Sequence, residues 1–257
     1  MRAPRWAVAS TAAVLVLAGC GQPADNGVAP SATPAPTASP TATAPPDPLD
    51  VLNAARREIS KGNYRFTVKR SGATVVGYRH KPTGTARLKL TLPKSDNYTV
   101  EVLVVGKTHL AHFSVKNEPF YGDGEWLKYD RKKAGKNVSI SHFFDDVDLP
   151  GGGEILAAAR DVRLENGDLT GLVDLMQTQF LPALDSKARD LIGDEVSKIP
   201  FVADLDDQGR LTKLVLKTGG KLGQVEITYS EYGTVKPDRM PPASDVSTAP
   251  TGLYRYV

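Results

Sequence analysis

The chain has 257 residues, with 32 Lys and Arg against 29 Asp and Glu and a formal net charge of +3. The charges are interspersed, so no basic field marks a nucleic-acid partner and no acidic field marks a cationic one. A single cysteine, Cys20, excludes an intrachain disulfide and a thiolate metal cluster.

The N-terminus has the layout of a secretory signal. Arg2 and Arg5 give a positive start, and Trp6 to Leu17 form an apolar run too short to span a bilayer comfortably. Leu17-Ala18-Gly19-Cys20 resembles the lipobox of bacterial lipoproteins. The resemblance implies cleavage after Gly19, a diacylglycerol thioether on Cys20, and acylation of Cys20 as the new N-terminus. Residues 1–19 then form the signal peptide, and the mature chain carries a charge near +1. Each buried lipid CH2 contributes about 0.8 kcal/mol, so two or three chains anchor firmly. No later apolar run approaches bilayer-spanning length. The expected location is the extracytoplasmic face of the cell membrane, held by lipid.

Residues 20–47 read as the lipidated Cys and a tether. Gly21 to Asp47 is mostly Pro, Ala, Thr, Ser and Gly, with almost nothing to bury. In polyproline form its extended reach is roughly 80 Å at about 3.1 Å per residue. Residues 48–257 are then one folded domain, long enough for a substantial core.

A helix is predicted first. Asp47 can cap it, Pro48 suits its first position, and Leu49, Leu52, Ala55, Arg56 and Ile59 recur at helical spacing before Gly62. The period then changes to two. Tyr64, Phe66 and Val68 alternate with Arg65, Thr67 and Lys69, and Ala73 to Arg79 follows a turn near Gly72. Ala86 to Leu92, Tyr98 to Val104, Lys107 to Val115 and Glu125 to Tyr129 continue in strand character. Short turns between such strands predict an antiparallel meander with one apolar face. In the middle, Gly153 to Arg160 and Leu181 to Ile192 read as helices, and Asp168 to Gln177 reads as strand rather than helix. Near the end, Phe201 to Leu205 and Leu211 to Lys217 flank the hairpin signal Asp206-Asp207-Gln208-Gly209, and Gln224 to Tyr229 alternates again. The Pro-rich C-terminus reads as irregular. About ten strands and two or three helices predict an α+β fold: a strongly curved antiparallel sheet, a half-barrel, with helices in its concavity.

The C-terminal third resembles the LprG/LppX-type lipoproteins of actinobacteria, relatives in fold of the LolA lipoprotein carriers. The residues that carry this are Ile199 to Leu211, Tyr229-Ser230-Glu231-Tyr232-Gly233, and Pro241-Pro242-Ala243-Ser244-Asp245-Val246. Leu169 to Leu175 looks like a reduced version of that family's strand before the second helix. The resemblance implies a half-barrel that binds an acylated lipid or glycolipid and can carry it from the membrane. The apolar positions that would line such a cavity are Phe66, Leu88, Leu90, Val102, Val104, Leu214 and Ile227. Taken singly, each of them is better explained by ordinary core packing under the helices. The other reading is a lipid-anchored interaction module with a filled interior and an unidentified protein partner.

Catalytic patterns are weak. His109 and His112 lie three apart on a predicted strand and face opposite sides, so they cannot share a metal. Asp145, Asp146 and Asp148 lack the spacing of a Ca2+ loop and read as a solvated loop capping the next helix. Gly151-Gly152-Gly153 lacks the Lys-Ser/Thr of a phosphate loop. Ser141-His142 are neighbours, not a triad. No catalytic residue, metal or cofactor is assigned, and the chain is not expected to be an enzyme.

Overall fold

The first helix, α1 (Pro48–Ser60), forms where the sequence places it. The Asp47 carboxylate accepts the Leu49 N–H at 2.8 Å, and Pro48 occupies the first helical position. Leu52, Ala55 and Ile59 are buried, while Leu49 is 53 % exposed and does not belong to the buried stripe. Gly62, with a positive φ of 66°, closes the helix by donating its N–H to Ile59. The computed structural model describes residues 45–92, 98–114, 124–133, 148–178, 190, 192–219 and 223–255. The signal segment, Gly19, Cys20 and most of the tether lie outside the described residues.

Six strands follow: β1 (Asn63–Arg70), β2 (Ala73–His80), β3 (Thr85–Leu92), β4 (Tyr98–Val105), β5 (Thr108–Ser114) and β6 (Trp126–Tyr129). A second, short helix, α2 (Gly152–Ala157), precedes β7 (Ala159–Glu165), β8 (Asp168–Val173), β9 (Ile199–Leu205), β10 (Leu211–Gly219), β11 (Gly223–Ser230) and β12 (Val246–Thr248). All twelve join one curved, unclosed sheet in the order β12-β6-β5-β4-β3-β2-β1-β11-β10-β9-β8-β7. Every pairing is antiparallel except β12 with β6. The first and last thirds are thus two meanders, joined when β11 returns beside β1. Among the described residues no helix is long and apolar enough to cross a membrane.

Three expectations change. The predicted helix from Gly153 to Arg160 ends at Ala157, and Arg160 lies in β7. Asp168 to Gln177 is strand only to Val173, after which Asp174 caps a 3-10 turn by accepting the Met176 N–H at 3.0 Å. The C-terminus, expected to be irregular, contributes the edge strand β12. The predicted helix Leu181 to Ile192 falls outside the described residues except Asp190 and Ile192.

Opposed residues of an antiparallel pair share a face, so the register divides the sheet into two surfaces. The inner face carries Phe66, Gly77, Leu88, Val102, Ala111 and Leu127 as one lateral row across β1 to β6. On the other side of β1, Tyr229 faces Phe66, Ile227 faces Val68, and Leu214, Ala203 and Leu169 continue inward-facing positions to β8. Leu52, Ala55 and Ile59 of α1 and Ile155 and Leu156 of α2 share one apolar cluster with these side chains.

The outer face has its own cover. After β11 the chain passes β1 to β3 before joining β6. Gly233 donates its N–H to Asn63, Asp238 donates its N–H to the Tyr78 hydroxyl at 2.7 Å, and Val235 is buried. Arg87 latches this strap. Its guanidinium binds Asp238 at 2.8 Å and Glu101 at 2.5 Å, and Lys89 shares Glu101 at 3.0 Å. Replacing Arg87 with alanine leaves Asp238 unpaired and leaves half-buried Glu101 with Lys89 alone. The expected loss is about 1–3 kcal/mol, read as a lower urea midpoint. Earlier proteolysis within residues 234–242 should accompany it. An unchanged midpoint would show that the strap is held without the latch.

Candidate functional site

The seven positions proposed to line a cavity all lie on the inner face, because the pleat sends every second residue there. Burial separates them. Phe66, Leu88, Val102, Leu214 and Ile227 are 0–3 % exposed and sit within the packed cluster. Leu90 and Val104 are only half-buried. The difference follows position in the sheet. Inner-face side chains of β10 and β11 are closed over completely, whereas Ala86, Leu90 and Leu92 of β3 and Val104 of β4 keep partial exposure.

At the end of β2 a polar cleft opens beside this face. Its volume is about 300 Å3, and Arg56, Arg79, Lys81, Asp148, Glu154 and Ile59 are among its walls. Arg79 is the inner-face residue opposite Tyr64 on one side and Ala86 on the other, so the sheet itself aims a cation into the cleft. Glu154 comes from the first turn of α2, and its buried Oε2 has no hydrogen-bond partner among the described residues.

Asp148 anchors the floor. The sequence alone predicts a solvated capping loop here. Asp148 does cap α2, since the Gly153 N–H donates to Oδ2 at 2.6 Å. It is not solvated: the Tyr64 hydroxyl donates to Oδ1 at 2.7 Å, and the Tyr229 hydroxyl lies 3.1 Å from Oδ2. The residue is half-buried at the wall of the cleft, and its carboxylate is held by these donors. Burial therefore pushes its carboxyl above the ordinary range, against the opposing pull of the Gly153 N–H, the two phenols and Arg79. Burial, reinforced by the Asp148 charge, also raises the Tyr64 and Tyr229 phenols well above their usual value. Both stay neutral donors at ordinary pH.

The glycine run ahead of α2 has a steric cause. The Gly152 N–H reaches the Tyr229 hydroxyl at 3.1 Å, and a Cβ on Gly152 would sit 2.3 Å from that oxygen. Its amides are thus used by Asp148 and Tyr229. Asp145 and Asp146 lie outside the described residues.

The histidines are placed as the strand period requires. His109 faces inward, opposite Val104 and Tyr129, and His112 faces outward, 5.6 Å from the Trp126 ring. Asp206 is a turn residue: it accepts the N–H groups of Gln208 and Arg210 at 3.0 and 2.9 Å and pairs with the Arg210 side chain at 2.7 Å. Sequence reasoning did not find the Tyr64–Asp148–Tyr229 cluster. Its members are 84 and 81 residues apart, and each looked like a strand or loop residue.

No family model matches the chain, and no curated protein matches it. Among solved structures, the chain is similar to the Mycobacterium tuberculosis lipoprotein LppX, with 14 % identity and a TM-score of 0.39, over 74 % of this chain and 98 % of that one. It is also similar to the hypothetical protein CT021 from Chlamydia trachomatis, with 9 % identity and a TM-score of 0.29, over 73 % of this chain and 96 % of that one.

Proposed function

We propose that the protein is a non-enzymatic lipoprotein, anchored through Cys20 on the extracytoplasmic face of the membrane, whose half-barrel binds the acyl chains of a lipid or glycolipid. The observation that carries this reading is the uneven cover of the inner face. Over β3 and β4, Leu90 and Val104 keep partial exposure on either side of buried Leu88 and Val102. Exposed apolar surface of this kind is stabilised by about 25 cal/mol per Å2 when an acyl chain covers it. Phe66, Leu214 and Ile227 form the solid floor behind it, and α1 and α2 cover the concavity. The polar cleft at the end of β2 takes the headgroup, with Arg79 and Lys81 for acidic oxygens and Glu154 Oε2 for a hydroxyl.

The complete burial of Leu214 and Ile227 favours a second reading. In it the interior is filled, and the protein is a lipid-anchored interaction module.

Native mass spectrometry of the full chain, with lipid analysis of an organic extract, separates the two. Binding predicts a stoichiometric lipid beyond the anchor on Cys20. It further predicts that Leu90→Trp and Val104→Trp, which fill half-buried space, remove that lipid while moving the melting temperature by only a few degrees, about 1 kcal/mol or less. A chain that takes up no offered lipid in either form sinks the carrier reading and leaves the interaction module.

A further inference from the structure

Along the same rim, on the β5–β6 side of the first meander, a second concavity of about 500 Å3 lies where the β4–β5 turn, β6 and the C-terminal segment meet. Four lysines from separate positions line it: Lys107 from the turn, Lys128 from β6, and Lys132 and Lys133 from the 3-10 turn after β6. Lysines elsewhere in the sheet, such as Lys69, Lys89 and Lys213, have carboxylates within 4.0 Å. Among the described residues no carboxylate lies within that distance of these four. One acid, Asp130, is present, but its Oδ1 already accepts the Lys132 N–H at 3.0 Å, and its own N–H donates to the Tyr254 hydroxyl at 2.9 Å.

The wall beside the lysines is aromatic. Tyr129 and Tyr254 stack with ring centroids 4.9 Å apart, and the Lys133 ammonium lies 5.8 Å from the Tyr254 ring centre. The C-terminal 3-10 turn that supplies Tyr254 is pinned through buried Leu253 and the Ala249 N–H bond to Lys128. Four cations around one hollow give it a positive field that favours an anion. A carboxylate would engage one or two ammonium groups. A phosphate, with three oxygens and up to two charges, can engage several at once.

We propose that this hollow is a binding site for a phosphate ester, held by Lys107, Lys128, Lys132 and Lys133 against the Tyr129–Tyr254 wall. It is independent of acyl binding at β3 and β4. The phosphate can belong to a free metabolite or to a lipid headgroup.

The test is calorimetric titration of the full chain in neutral detergent with glycerol 3-phosphate, and with dihexanoyl phosphatidylglycerol below its micelle concentration. Saturable one-to-one binding of either probe is expected, weakened about tenfold or more in Lys128→Glu/Lys133→Glu. Both side chains are exposed, so the double variant should keep its melting temperature. Lys198→Glu, on an exposed position outside the site, should bind as the unaltered chain does. Preference for glycerol 3-phosphate identifies a soluble ligand, and preference for the lipid identifies a headgroup. Absence of saturable binding with both probes, or equal binding by the double variant, overturns the proposal. An acyl-binding defect in Leu90→Trp with phosphate binding intact would leave it standing.

Discussion

Replacing Phe66 with alanine is expected to destabilise the fold by about 3–5 kcal/mol, near the upper end of the range for a buried aromatic. Phe66 is 2 % exposed on the central strand of the sheet, between Gly77 on β2 and Tyr229 on β11. Its ring covers Gly77 so closely that a Cβ there would lie 2.6 Å from it. Removing the ring opens a hole whose facing residue has no side chain to fill it. Tyr64, in edge contact at 6.4 Å, cannot move in without leaving Asp148. Since whole domains are stable by only about 5–15 kcal/mol, this one change removes a large share. Val76→Ala on the outer face, at 41 % exposure, should stay within about 0.5 kcal/mol. Urea unfolding at constant m-value checks both. A cost below about 1 kcal/mol for Phe66→Ala would place the ring against open space, not packed core, and would move the acyl site to β1.

What the sequence disclosed tracks the range of the interactions involved. Alternation is local, so β1 to β5 and β9 to β11 were legible from single runs such as Tyr64-Arg65-Phe66-Thr67-Val68. Capping is local too, and Asp47-Pro48 fixed the start of α1. The β7–β8 hairpin also has a local signal, although the sequence analysis places no strand at β7. Asn166-Gly167 has the positive φ values of 54° and 93° that a two-residue hairpin turn needs, and Val162 and Leu164 alternate with Arg163 and Glu165 before it. The helical run from Gly153 masked its start. β12 has only three residues and pairs with a strand about 120 positions earlier, so its strand character comes from β6. The same limit hid Asp148. A carboxylate preceding Gly151 looks like a surface cap until distant Tyr64 and Tyr229 close over it. The lateral rows of the inner face, and the incomplete cover of one part of it, depend on pairings that no local pattern encodes.

Those enclosed tyrosines set the second large effect: the fold should collapse within about one to two pH units above pH 10. Tyr64 and Tyr229 are held neutral by burial and by the Asp148 charge, and burial beside Tyr254 pushes Tyr129 up to about 12. In the unfolded chain each ionises near 10. Below pH 10 both states keep these protons, and the stabilisation is complete. Above it the unfolded chain loses protons that the folded chain retains, so stability falls as pH rises towards the folded values. Burial raises Tyr78 and Tyr232 as well. Each group that keeps its proton contributes at most about 1.4 kcal/mol per pH unit, so five give a slope of at most about 7 kcal/mol per unit. Tyrosinate absorbance and circular dichroism should therefore change together in one cooperative step. Tyr64→Phe removes one titrating group and should flatten the slope by about a fifth, while lowering stability at neutral pH because Asp148 loses a donor. A gradual rise in tyrosinate absorbance near pH 10, with circular dichroism unchanged, would mean that water reaches these phenols in the folded state. Tyr64 and Asp148, which already line the headgroup cleft, would then meet water there, and the Tyr64 hydroxyl would be free to bind the headgroup of the proposed lipid.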